Sequence, residues 1–141
     1  MLANNDLHLR NFSLLYPKHG TPKLAPIYDF VSVAPYPAIF SSALLALPLL
    51  EKEEGNRELA HGFNTQYGAY IGDDFIEFGE KIGLNKKVII QILIPEIMKE
   101  EAKVESIYQC SFMSPLDIDI VLKVYRSRLK LLNILDEPGL S

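Results

Sequence analysis

With 141 residues and a mass of 15.9 kDa, the chain has room for one domain. Its 48% hydrophobic and 23% charged residues exclude intrinsic disorder, which requires low hydrophobicity and high net charge. A net charge of −4, from 14 Lys+Arg against 18 Asp+Glu, excludes a global basic field for nucleic acid, and a lone Cys110 excludes an internal disulfide or a Cys-rich zinc site.

Met1 to Ser13 places Asn4, Asn5, Asp6, His8, Arg10 and Asn11 where a secretory signal would need apolar residues. Together with the cysteine usage, this predicts a cytoplasmic protein. Phe12–Tyr16 and Lys23–Ile27 are short apolar runs flanking the turn-rich Pro17-Lys18-His19-Gly20-Thr21-Pro22, which predicts a β-hairpin. Its two ends are neighbours in space, so Asp29 is expected to come back toward Asn11. Val31 to Leu50 is 20 residues without a charge. Pro35, Pro37 and Pro48 cut it, and the 13 residues after Pro37 fall short of the ~20 that a spanning helix needs. A buried loop and a short core segment are expected there rather than a membrane anchor.

Leu44–Leu50 and Phe63–Ile71 bracket a charged loop, Glu51 to Glu58, and alternation across Phe63, Thr65, Tyr67, Ala69 and Ile71 predicts a strand. Gly72-Asp73-Asp74 reads as a helix start capped by Asp73 or Asp74. Phe75, Ile76, Phe78, Gly79 and Ile82 form its expected buried stripe, and Gly83 its stop. Lys86 to Lys103 reads as a second helix with Val88, Ile89, Ile92, Leu93, Ile97 and Met98 as its apolar face, kinked or divided at Pro95. Ser114-Pro115-Leu116-Asp117 opens a last helix that Pro138-Gly139 closes. Ile118, Val121, Leu122, Tyr125, Leu129 and Leu132 share one of its faces, and Lys123, Arg126 and Lys130 the solvated one. The fold class is therefore mainly α with one or two small β-hairpins.

The chemistry concentrates in Asn4-Asn5-Asp6-Leu7-His8-Leu9-Arg10-Asn11, where polar residues alternate with leucines. Asp6, Asn11 five positions on, and Asp29 beyond the hairpin are in the order that phosphoryl transfer requires. One carboxylate orients the attacking hydroxyl, and an amide and a second carboxylate hold Mg²⁺ against nucleotide phosphates. Ordinary turn and capping chemistry is the structural alternative for these three residues. A metal hydrolase site from Asp6, His8, His19 and Asp29 is a further one, although the spacing matches no strong metal motif. His61 is expected to be solvated, and Cys110 to be a small buried side chain rather than a nucleophile.

Asn4-x-Asp6-x-His8-x-x-Asn11-Phe12-Ser13-Leu14-Leu15, with Leu24-Ala25-Pro26-Ile27-Tyr28-Asp29-Phe30, resembles the catalytic core of the HipA-like family. These are kinase-fold serine/threonine kinases, best known as toxins of toxin–antitoxin modules. The resemblance is specific over residues 3–33 and looser over the helices beyond. It implies the C-terminal lobe of a protein-kinase-like fold, a single domain over residues 1–141. The catalytic loop and metal-binding hairpin would lie in 1–33 and a helical remainder in 72–135. It further implies Asp6 as catalytic base, Asn11 and Asp29 as Mg²⁺ and nucleotide-cofactor ligands, and Asn4, His8 and Arg10 as loop supports. Also implied are a protein substrate (an aminoacyl-tRNA synthetase in known cases) and an antitoxin-like DNA-binding partner. Ala3 stands where the family motif usually has glycine.

None of the eight glycines forms a Gly-x-Gly-x-x-Gly or Walker pattern, so the chain is expected to be the C-terminal lobe alone. A kinase's phosphate-covering loop and phosphate-binding lysine precede its catalytic Asp, so the N-lobe must come in cis or in trans. Mg²⁺ and ATP are therefore expected to bind only in the complete kinase, and the surface meeting the other lobe to be exposed and apolar. The alternative is a non-catalytic binding module, or a truncated remnant, that docks an antitoxin-like partner or a separate N-lobe.

Overall fold

A computed structural model describes residues 11–29, 31–36, 45, 47–55 and 58–135. Its one sheet, among the described residues, is the predicted hairpin. Strands β1 (Leu14–Leu15) and β2 (Lys23–Leu24) pair antiparallel, Leu14 against Leu24 and Leu15 against Lys23. The Pro17–Pro22 stretch turns between them, and Gly20 at φ +119 supplies a backbone conformation that a side chain would oppose. Beyond the hairpin, Ala34 is buried against Val121, so this short segment ties the sheet to the helical body.

Helices carry the rest: α1 (Gly72–Lys81), α2 (Lys86–Val88), α3 (Ile94–Lys99), α4 (Glu101–Gln109) and α5 (Pro115–Leu132), with single 3₁₀ turns at Glu51–Glu53 and His61–Asn64. Helix α5 follows its sequence pattern closely. Ser114 Oγ accepts from the Asp117 amide, and Pro115 occupies the first turn. All six predicted positions, Ile118, Val121, Leu122, Tyr125, Leu129 and Leu132, are buried. The helix ends at Leu132 with Asn133 as its cap, ahead of Pro138-Gly139, which lie outside the described residues. On its far side Arg126 bonds Glu101 and Glu105 of α4, at 3.2 and 2.7 Å, so one of the three predicted solvated cations ties two helices together.

The Lys86–Lys103 region departs from a regular helix. Residues Ile89–Leu93 form a π-helical turn in which the Ile94 amide bonds the Ile89 carbonyl, five residues back. Pro95 follows directly. Its ring would crowd the carbonyl four residues before it, and the wide turn relieves that conflict. The added residue rotates the apolar face: Ile89 and Ile94 are buried with Ile76 and Leu132, while Val88, Ile92, Leu93 and Ile97 are exposed, contrary to the α-helical spacing.

Helix α1 shows a similar correction. Its buried face runs through Gly72, Asp74, Ile76 and Gly79, leaving Phe78 and Ile82 exposed. Gly79 lets Ile89 approach to where a β-carbon would stand 2.5 Å from its Cδ1. Gly83, at φ +91, stops the helix as expected.

The predicted strand over Phe63–Ile71 is absent. Turns, with buried carboxylates that accept from the Tyr70 hydroxyl and the Ile71 amide, take the place of a neighbouring strand. Ile71, not Asp73 or Asp74, stands at the N-cap of α1. Asp74, fully buried in the third position, accepts from the Ile71 amide at 2.9 Å and the Gly62 amide at 3.2 Å. Glu53 comes from the charged loop, yet is 7% exposed. It accepts from the amides of Leu50 (2.9 Å) and Ala60 (3.3 Å) and from the Tyr70 hydroxyl (2.8 Å). Phe63 packs edge-on against Tyr70, with ring centroids 4.8 Å apart.

Burial, and next the hydrogen bond to Glu53, push the Tyr70 phenol up to about 12 from 10.0. The folded state then holds this proton more tightly than the unfolded state. The stabilisation is complete below pH 10 and is lost as pH rises toward about 12. Stability should therefore fall across that interval, and Tyr70→Phe should make the fall shallower, since burial also raises Tyr108 and Tyr125. Urea unfolding at stepped alkaline pH measures this, and equal slopes for the parent and Tyr70→Phe would refute it.

Candidate active site

The open end of the hairpin gathers the polar residues singled out in the sequence. Continuing the Leu14–Leu24 register sets Asn11 opposite Ile27, two residues short of Asp29. Asp29 completes the approach in a left-handed backbone conformation, φ +60. Few residues other than glycine adopt that conformation, and Asp and Asn do so most readily because a short polar side chain can bond locally. The Asn11 Nδ2 group donates to Asp29 Oδ2 at 2.5 Å. Asn11 is 8% exposed, whereas Asp29 faces solvent.

Two residues not singled out for the site close the same end. Ser13 and Tyr28 share a hydroxyl–hydroxyl hydrogen bond of 2.7 Å, and the Ala25 amide bonds the Ser13 carbonyl at 2.8 Å. Ser13 lies two residues after Asn11, and Tyr28 immediately before Asp29, so this clasp fixes the spacing between amide and carboxylate. Extrapolated strand pairing, with both residues inside the motif, was the signal available in the sequence.

The donor chemistry suits a hard cation. An amide and a carboxylate offer oxygen ligands, and Mg²⁺ is commonly held by one or two carboxylates with substrate phosphates and water completing its shell. Asn4, Asp6, His8 and Arg10 lie outside the described residues. For the hydrolase alternative, His19 sits in the turn between β1 and β2, at the opposite end of the ladder from Asp29. Among the described residues no three His, Cys, Asp or Glu side chains cluster as a metal site. His61 is exposed, as expected. Cys110 is exposed as well, correcting the expectation of a buried thiol: it caps the end of α4, where the chain turns outward toward α5.

Apolar side chains cover the hairpin's outer surface. Tyr16, Leu24, Ile27 and Val31 are 60–75% exposed, and Leu14 and Leu15 about half exposed. Among the described residues no helix is long and apolar enough to cross a membrane.

Comparison with known proteins adds a family. The model of the HipA-like C-terminal domain matches residues 1–104. A Haemophilus influenzae protein named "Putative kinase" is 72% identical over 140 residues, covering 99% of this chain and 41% of the relative. Two Sinorhizobium fredii proteins, "Putative kinase Y4dM" and "Putative kinase Y4mE", are 50% and 49% identical over 36 and 37 residues, each match covering 26% of this chain and 9% of the relative. The chain thus spans about two fifths of the length of the Haemophilus relative.

Proposed function

The chain belongs to the family of HipA-like C-terminal domains, and on that premise we propose that it is the catalytic lobe of a serine/threonine protein kinase. The observation that carries this reading is the contact between Asn11 and Asp29, made across a hairpin by two residues 18 apart in sequence. In the proposed reaction the substrate hydroxyl oxygen attacks the γ-phosphorus of ATP. A new P–O bond forms, the bond to ADP breaks, and Asp6 takes the hydroxyl proton. Asn11 and Asp29 would hold Mg²⁺, which when bound neutralises charge on the phosphates. Ser13 and Tyr28 keep that pair in register.

The rest of the longer polypeptide would supply the groups that grip the nucleotide. Its N-lobe would cover the apolar hairpin surface, where an exposed patch of this kind marks an interface. A protein substrate and an antitoxin-like DNA-binding partner complete the proposal.

Phosphate transfer from γ-labelled ATP by the full-length protein tests this reading. Asp6→Asn is expected to lower transfer by about a hundredfold or more, the scale of general-base catalysis, while leaving partner binding unchanged. Full transfer by that variant would overturn the role given to Asp6. Partner binding with no transfer by the parent protein would establish the binding-module alternative instead.

A further inference from the structure

A cleft of about 360 Å³ lies between α5 and the loop before α1, lined by Tyr67, Gly68 and Ala69 on one side and by Lys123, Val124, Ser127, Arg128 and Leu131 on the other. Among the described residues, two cations and two hydroxyls line it, with no acid, in a chain of net charge −4. Other surface clefts differ: the one between α4 and α5 includes Glu105 and Asp119, and the hollow after α1 includes Glu80.

Spacing on α5 accounts for the arrangement. Lys123 and Ser127 are four residues apart, Val124 and Arg128 likewise, so adjacent rows of one helix face present charge and apolar surface together. Arg128 is half-buried, and burial pulls its guanidinium below the usual arginine range. It is engaged within the chain, and with five N–H donors it can serve a second acceptor. Across the cleft, Ala69 is 8% exposed, and its amide donates to no group among the described residues. Gly68, at φ +56, has open space where a β-carbon would stand.

We propose that this cleft binds a phosphate monoester, with Lys123, Ser127 and Arg128 holding the phosphate. Guanidinium, ammonium and hydroxyl groups are the donors such a dianion selects. The Tyr67 ring and the Val124 and Leu131 side chains leave apolar surface for the group that carries it. The site is independent of the Asn11–Asp29 pair.

Amide NMR of the 141-residue chain tests the assignment, with inorganic phosphate, AMP and a phosphoserine peptide as probes and chloride as the ionic-strength control. Saturable shifts at Tyr67, Gly68 and Ala69 are expected, with a Kd of about 1 mM or tighter for the best probe. Lys123→Ala should weaken that binding roughly tenfold, and Ser127→Ala less. Both side chains are exposed, so neither variant should disturb the fold. Tighter AMP binding would identify a free nucleotide as the source of the phosphate, and tighter peptide binding a phosphorylated side chain. Shifts reproduced by chloride, failure to saturate, or a Lys123→Ala variant that binds as the parent does would each overturn the proposal.

Discussion

On the proposed function, Asp29→Asn in the full-length protein is expected to lower kcat by about 10³-fold, a loss comparable to removing a principal charge-stabilising group. The substitution isolates charge from shape. Asn tolerates the left-handed backbone that Asp29 adopts at φ +60, and it nearly preserves the side-chain volume. What it removes is the carboxylate that accepts from Asn11 and that would ligate Mg²⁺. The melting temperature should stay within about 3 °C of the parent, corresponding to less than ~1 kcal/mol in a domain of this size. Asp29→Ala should show the same loss of activity plus a further decrease in stability, because alanine lacks a polar group to support φ +60. Steady-state kinetics over a Mg²⁺ titration, paired with thermal melts, give both readouts. Retention of more than about a tenth of the parental kcat by Asp29→Asn would remove Asp29 from the metal site.

The second large effect concerns stability. Asp74→Ala is expected to destabilise the fold by about 4 kcal/mol, because two buried amides, those of Gly62 and Ile71, lose their acceptor. Each orphaned donor costs about 1–3 kcal/mol, and domains of this kind have only about 5–15 kcal/mol in total. Water cannot easily replace the carboxylate. Gly62 approaches so closely that a β-carbon there would lie 2.2 Å from the Ala69 carbonyl and 2.6 Å from Asp74 Oδ2. Urea unfolding should show the midpoint falling by about 2 M for a slope of ~2 kcal/mol/M. Asp74→Asn retains one acceptor oxygen and should lie between the parent and Asp74→Ala. A midpoint for Asp74→Ala within about 0.3 M of the parent would mean that these amides find other partners.

Local signals were legible in the amino-acid order. Helix α5 needs only its own residues: a serine cap, a first-turn proline and apolar side chains at three- and four-residue steps determine where it starts and which face it buries. The hairpin was equally readable, because two short runs around a Pro/Gly turn have few other ways to satisfy their backbone. The approach of Asn11 and Asp29 was legible too, because the hairpin brings its two ends together.

Tertiary structure decided what depends on partners far away in sequence. Alternation over Phe63–Ile71 is compatible with a strand, but a strand needs a neighbour. Glu53 and Asp74 serve the surrounding amides instead. The Lys86–Lys103 pattern is compatible with an α-helix until Pro95 and the packing of Ile89 against Gly79 favour a π turn and rotate the apolar face. The left-handed backbone at Asp29 belongs to the same class, since the strand register sets Asn11 opposite Ile27 and only the local turn carries Asp29 the rest of the way. Periodicity and caps are properties of neighbouring residues and can be read along the chain. The burial of a carboxylate is decided by which distant N–H groups the fold brings to it.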